Sequence, residues 1–129
     1  MRIAFLLPNS IKFIGGAEVF VKMLSDVLEN RGHEVDVFAF SELKLNMLQR
    51  ATLSSLRFVP HREIYKAKLL GSYFNKKSKY FDLVISSDYF GLYAKAPRKI
   101  MLLHDCYRDI FETIRHKISL PYYLWGQNL

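Results

Sequence analysis

Apolar positions fall into two kinds of pattern along this chain. Arg2–Leu7, RIAFLL, is an almost unbroken apolar run that stops at Pro8. A short continuous run of this kind suits a strand covered on both faces, as in a parallel sheet. From Ala17 to Arg31 the spacing becomes helical. Phe20, Met23, Leu24, Val27 and Leu28 fall on one side, and Glu18, Lys22, Asp26, Glu29 and Asn30 on the other. The first set is expected to face the core and the second to face water. Gly32 follows where a left-handed cap closes a helix. Glu34–Phe40, EVDVFAF, is β-branched and aromatic and predicts a second strand.

The middle of the chain is less regular. Leu43, Leu45, Met47 and Leu48, within Ser41–Ser55, fit either a short helix or a lid-like loop. Leu56–Val59 reads as a short third strand ended by Pro60. His61–Lys79 reads as a basic helix with Ile64, Ala67, Leu70 and Phe74 on one side. Gly71 inside it costs about 1 kcal/mol relative to alanine on propensity alone. Phe81–Ser86 and Lys99–Leu103 are two further strands. Asp109–Leu120 is a last helix, with Ile110, Ile114 and Ile118 at spacing four and Pro121 ending it.

Strands alternating with helices imply right-handed crossovers. The expected fold is α/β: a Rossmann-like, doubly wound, mostly parallel sheet flanked by helices. The 129 residues suffice for a single domain of this kind, residues 1–129. The tail residues Tyr122, Tyr123 and Trp125 are aromatic and either dock on their own domain or belong to a partner-docking surface.

Composition narrows the function classes. With 50% hydrophobic residues, the chain can bury enough surface to fold. Cys106 is the single cysteine, so no disulfide framework or cysteine-based zinc site can form within the chain. Ile3–Leu7 is too short for a signal-peptide core, and no stretch reaches the roughly 18 apolar residues that span a bilayer. A cytoplasmic protein is expected, with the inner face of a membrane as a peripheral location. The net charge of +7 favours an anionic partner: a phosphate-bearing ligand, an acidic membrane face or nucleic acid. No nucleic-acid-binding signature accompanies it, so nucleic acid ranks last.

In open α/β sheets, ligands bind beyond the carboxyl ends of the strands. Three loops leave those ends: Pro8–Gly16, Ser86–Gly91 and His104–Arg108. Gly15 and Gly16 precede a helix, whose free N–H groups and positive dipole end attract phosphate. The same glycines also fit a plain hinge between strand and helix. The loop lacks the G-x-G-x-x-G fingerprint and the G-K-[ST] of a Walker loop. His104 and Asp105 directly follow the strand Lys99–Leu103, where a histidine could donate to a hydroxyl or phosphate oxygen, or sit in a loop without a ligand. Cys106 beside them has no positioned base to make it a nucleophile. His33, His61 and His116 lack metal-ligand spacing, so neither a metal nor a resident cofactor is expected. Arg62, Lys66, Lys76, Lys77 and Lys79, interleaved with Tyr65, Tyr73 and Phe74, fit a membrane- or anion-binding helix as well as a solvated face.

Several of these signals occur in a particular order: MRIAFLLP, then GGAE at 15–18, LENRGHEVDVF at 28–38, FDLVISS at 81–87 and KIMLLHD at 99–105. The ordered set resembles the N-terminal domain of family-four glycosyltransferases, the retaining enzymes of the GT-B fold. Residues 41–80 match only in outline. The resemblance implies that Gly15 and Gly16 lie at the cleft between two Rossmann-like domains and approach a nucleotide-sugar donor. It implies that His104 contacts the transferred sugar, with Asp105 beside it. It also implies that this half holds a glycan or lipid-linked acceptor. The family's C-terminal domain, which supplies most donor contacts and an E-x7-E pair, has no counterpart in the sequence. The chain is therefore expected to be a truncated acceptor-side domain that needs a donor domain or subunit and does not transfer sugar alone. The alternative is a non-catalytic binding module that docks on an anionic membrane or a partner protein.

Overall fold

The computed structural model describes residues 1–12, 14–77 and 80–103. The expected final helix Asp109–Leu120, the aromatic tail and Lys79 lie outside those residues, as do His104 and Asp105. The described elements are β1 (Arg2–Leu7), α1 (Gly16–Asn30), β2 (Glu34–Ala39), a 3-10 turn (Phe40–Glu42), α2 (Met47–Ser55), α3 (His61–Lys77), β3 (Leu83–Ser87), a second 3-10 turn (Asp88–Gly91) and β4 (Lys99–Leu102).

The four strands form one parallel sheet in the order β2-β1-β3-β4. The apolar run of β1 thus takes a central position: Phe5 is level with Val37 of β2 on one side and Ile85 of β3 on the other. Its side chains alternate between faces. Ile3, Phe5 and Leu7 meet Val21 of α1 and Ile85 in one buried layer. Ala4 and Leu6 meet Leu70 and Phe74 of α3, with Phe81, Val84, Phe90 and Ala94, in the other. Two covered faces explain why β1 shows no polar alternation.

Three expectations change. Leu56–Val59 is not a strand: α2 ends there, and the Val59 N–H closes a turn on the Leu56 carbonyl at 3.0 Å. The ambiguous stretch before it contains a true helix, α2, whose start is fixed by a reciprocal cap. Asn46 Oδ1 accepts from the Gln49 N–H at 2.8 Å, and Gln49 Oε1 accepts from the Asn46 N–H at 3.0 Å.

The third change concerns α1. Its sheet-facing side is not the apolar stripe but Glu18, Val21 and Ser25, all buried, with Leu24 and Leu28 half-buried beside them. Phe20, Met23 and Val27 are about half exposed or more. Glu18 is held inside because the Asn9 amide donates to its Oε1 at 3.1 Å, and Ser25 returns its hydroxyl to the Val21 carbonyl at 2.8 Å. Satisfied polar groups can occupy an inner face at modest cost. Gly32, at φ +82°, closes α1 as expected.

Candidate functional site at the carboxyl edge of the sheet

The loops after β1 and β2 are tied together at this edge. The Ser41 N–H donates to the Pro8 carbonyl, and the Ser10 N–H donates to Ser41 Oγ, both at 3.0 Å. The loop then delivers Gly15 in an extended conformation as the cap of α1. Gly15 has no side chain to cap this helix, and among the described residues no acceptor is bonded to its first N–H groups. Gly16 is exposed, and a Cβ placed on it would meet no atom within 4 Å. The backbone here is approachable. Glu18 in the first turn offsets part of the positive dipole end.

The loop after β3, next to β1 in the sheet, is held more rigidly. Ser86 and Ser87 are buried at the strand end. Asp88 then adopts φ +47°, a left-handed conformation that aspartate tolerates better than most residues. The Ser86 hydroxyl donates to the Asp88 carbonyl at 3.2 Å, and Gly91 packs so closely on the Ser86 side chain that a Cβ there would overlap it. Tyr89 stacks on Phe90 at 4.8 Å and donates its hydroxyl to Glu63 Oε2 from across the edge. Lys66 Nζ bonds the other Glu63 oxygen at 2.9 Å.

Burial by itself would raise the Glu63 pKa. The hydrogen bonds from Tyr89 and Lys66, with the charges of Lys66 and Arg62, outweigh it and hold the carboxyl below its ordinary value. A depressed pKa contributes stability that is present above the unfolded value, about 4.3, and is lost as pH falls through the lower folded value. Glu63→Gln is therefore expected to cost about 1–2 kcal/mol at pH 7. That difference should shrink toward pH 3, as read from urea unfolding midpoints at stepped pH. A difference that stays constant with pH would mean that the ionised form of Glu63 is not what stabilises the fold.

The described basic candidates, Arg62, Lys66, Lys76 and Lys77, do not form one group. Arg62 is half-buried, and Lys66 is committed to Glu63 and lies 6.0 Å from the Phe40 ring centre. Lys76 and Lys77 are exposed in the last turn of α3, with Lys77 over the Tyr73 ring at 4.9 Å. Ten helical residues separate Lys66 from Lys76, a span of about 15 Å. Gly15 and Gly16 lie where the loop that leaves the carboxyl end of β1 enters α1. Asn9, Asp88 and Tyr89 fall in two of the loops picked out from the sequence but were not named there as site residues, and Glu18 and Glu63 were given no role in a site. The local signal for Asn9, Asp88 and Tyr89 was their place in loops that follow strand ends.

Among the described residues, no group of His, Cys, Asp or Glu is placed to hold a metal ion, and no helix is long and apolar enough to cross a membrane. The family model described as Glycosyltransferase Family 4 matches residues 14–128. No curated protein and no solved structure matches the chain.

Proposed function

This chain belongs to glycosyltransferase family 4, and from that premise we propose that it is the acceptor-side, Rossmann-like half of a retaining GT-B enzyme. In this reading the carboxyl edge forms one wall of a cleft. A donor-binding domain or subunit supplies the other wall, and sugar passes from a nucleotide-sugar to a glycan or lipid-linked acceptor. The observation that supports it best is the start of α1, where Gly15 offers no capping side chain and Gly16 is open, at the end of the loop after β1, the strand next to β3 and its braced Asp88 loop. Unpaired N–H groups at a helix start suit the diphosphate or sugar oxygens of a donor. His104 and Asp105, next in the chain after β4, complete the set of proposed sugar contacts.

Gly16 separates this role from a hinge. Its surroundings leave room for a methyl group and its φ is not in the left-handed region. Gly16→Ala is therefore expected to keep or raise stability, by up to about 1 kcal/mol. A ligand that needs the bare backbone would lose contact. Amide NMR of the 129-residue chain, titrated with UDP- and GDP-sugars, detects even millimolar binding. Shifts centred on Gly15, Gly16 and Ser86–Tyr89, weakened at least about fivefold by Gly16→Ala, are the expected result. Absence of shifts at this edge would overturn the reading. If the chain instead sedimented with anionic vesicles, and lost that on charge reversal of Lys76 and Lys77, the membrane-docking alternative would replace it.

A further inference from the structure

We propose that the outer face of α1 is a self-association surface that joins two copies of this chain about a two-fold axis. α1 rests on the sheet through Glu18, Val21 and Ser25. At about 100° per residue, the direction opposite these three is centred on Met23. That outer side is apolar. Val19, Met23 and Val27 recur at spacing four and are 47%, 64% and 48% exposed. A surface helix ordinarily turns charged and polar residues to water, so a contiguous apolar row there marks an interaction surface.

The charges beside the row select a second copy as the partner. Lys22 and Asp26 border it on one side, and neither is in an ion pair among the described residues. Consider two α1 helices set antiparallel, with Met23 against Met23 of the partner subunit. Val19 then lies level with Val27 of the partner subunit, and the reverse holds at the other end. The two-fold keeps the Lys22–Asp26 border on the same side in both copies. With a rise of about 1.5 Å per residue, Asp26 lies about 3 Å along the axis from Lys22 of the partner subunit. Helical side chains lean toward their own N-terminus. The two lysines therefore lean away from each other, each toward the partner's Asp26, while each aspartate leans toward the partner's Lys22. Two opposite-charge pairs form together around an apolar centre, so the surface is self-complementary, as a two-fold interface must be.

One helix face is a small interface, so the association is weak, in the micromolar range. Sedimentation equilibrium of the full chain between about 1 and 200 µM spans that range. The expected result is a reversible dimer. Met23→Glu should leave a monomer throughout. Lys22→Glu, which sets like charges opposite each other, should weaken the dimer about tenfold, and adding Asp26→Lys should restore it to within about threefold. All three positions face solvent, so circular dichroism should report unchanged folding. A wild-type chain that stays monomeric would overturn the proposal. So would a dimer indifferent to Met23→Glu, or a double variant that fails to regain what Lys22→Glu lost.

Discussion

Phe74→Ala is expected to destabilise the domain by about 3–5 kcal/mol, a large share of the roughly 5–15 kcal/mol that holds a domain of this kind together. The side chain is fully buried between α3 and the sheet. It meets the Phe38 ring edge-on at 5.2 Å and the Phe81 ring at 5.5 Å. Leu70, Val84 and Phe90 belong to the same layer. Truncation removes the ring's burial and leaves a void between aromatic rings that cannot all collapse into it, because Phe38 and Phe81 are carried by different segments of chain. The measurement is urea unfolding followed by circular dichroism, with an unchanged m-value. Tyr80→Ala, at a position that is 74% exposed, is the control and should stay within about 0.5 kcal/mol. A loss below about 1.5 kcal/mol for Phe74→Ala would mean that α3 does not seal this face.

The second large effect has a sign opposite to what helix propensity indicates. Gly71 lies mid-helix in α3, where alanine would gain about 1 kcal/mol on propensity. A Cβ at Gly71, however, would sit 2.6 Å from Tyr93 Cβ and 2.9 Å from the Tyr93 carbonyl carbon. The Tyr93 backbone cannot easily step aside. Asn75, one turn along α3, donates its amide to the Tyr93 carbonyl at 2.9 Å and accepts from the Lys95 N–H at 2.7 Å. Overpacking of this kind costs about 1–3 kcal/mol, and more where backbone has to move. Gly71→Ala is thus expected to be net destabilising by about 2 kcal/mol, measured in the same unfolding experiment. A stabilised variant would show that helix and loop do not approach this closely.

These two positions show why local reading succeeds and fails where it does. Spacing alone placed Phe74 on one side of its helix with Ile64, Ala67 and Leu70; Ala67, Leu70 and Phe74 are buried there, while Ile64, in the first turn, is 45% exposed. Gly71 was read as a mere weakness of the helix, since nothing nearby in sequence reveals that Tyr93 crosses over it. The candidate site divides in the same way. Gly15 and Gly16 were visible as a loop-to-helix signal, whereas the Glu63–Tyr89 hydrogen bond joins residues 26 positions apart. The left-handed φ of Asp88 and the close packing of Gly91 on Ser86 were not legible from residue type alone.

The sequence by itself determined the alternation of strands and helices, the covering of RIAFLL on both faces, the parallel α/β class and the ordered motifs of the family. Each of these is carried by local periodicity or by short runs. Only the tertiary structure decided that Leu56–Val59 turns instead of pairing, that Gly71 is a point of close approach, and that α1 turns Glu18 inward and Met23 outward. Periodicity reveals that a helix has an apolar side but not which side the sheet accepts. In this chain Glu18 can face inward because the Asn9 amide donates to it.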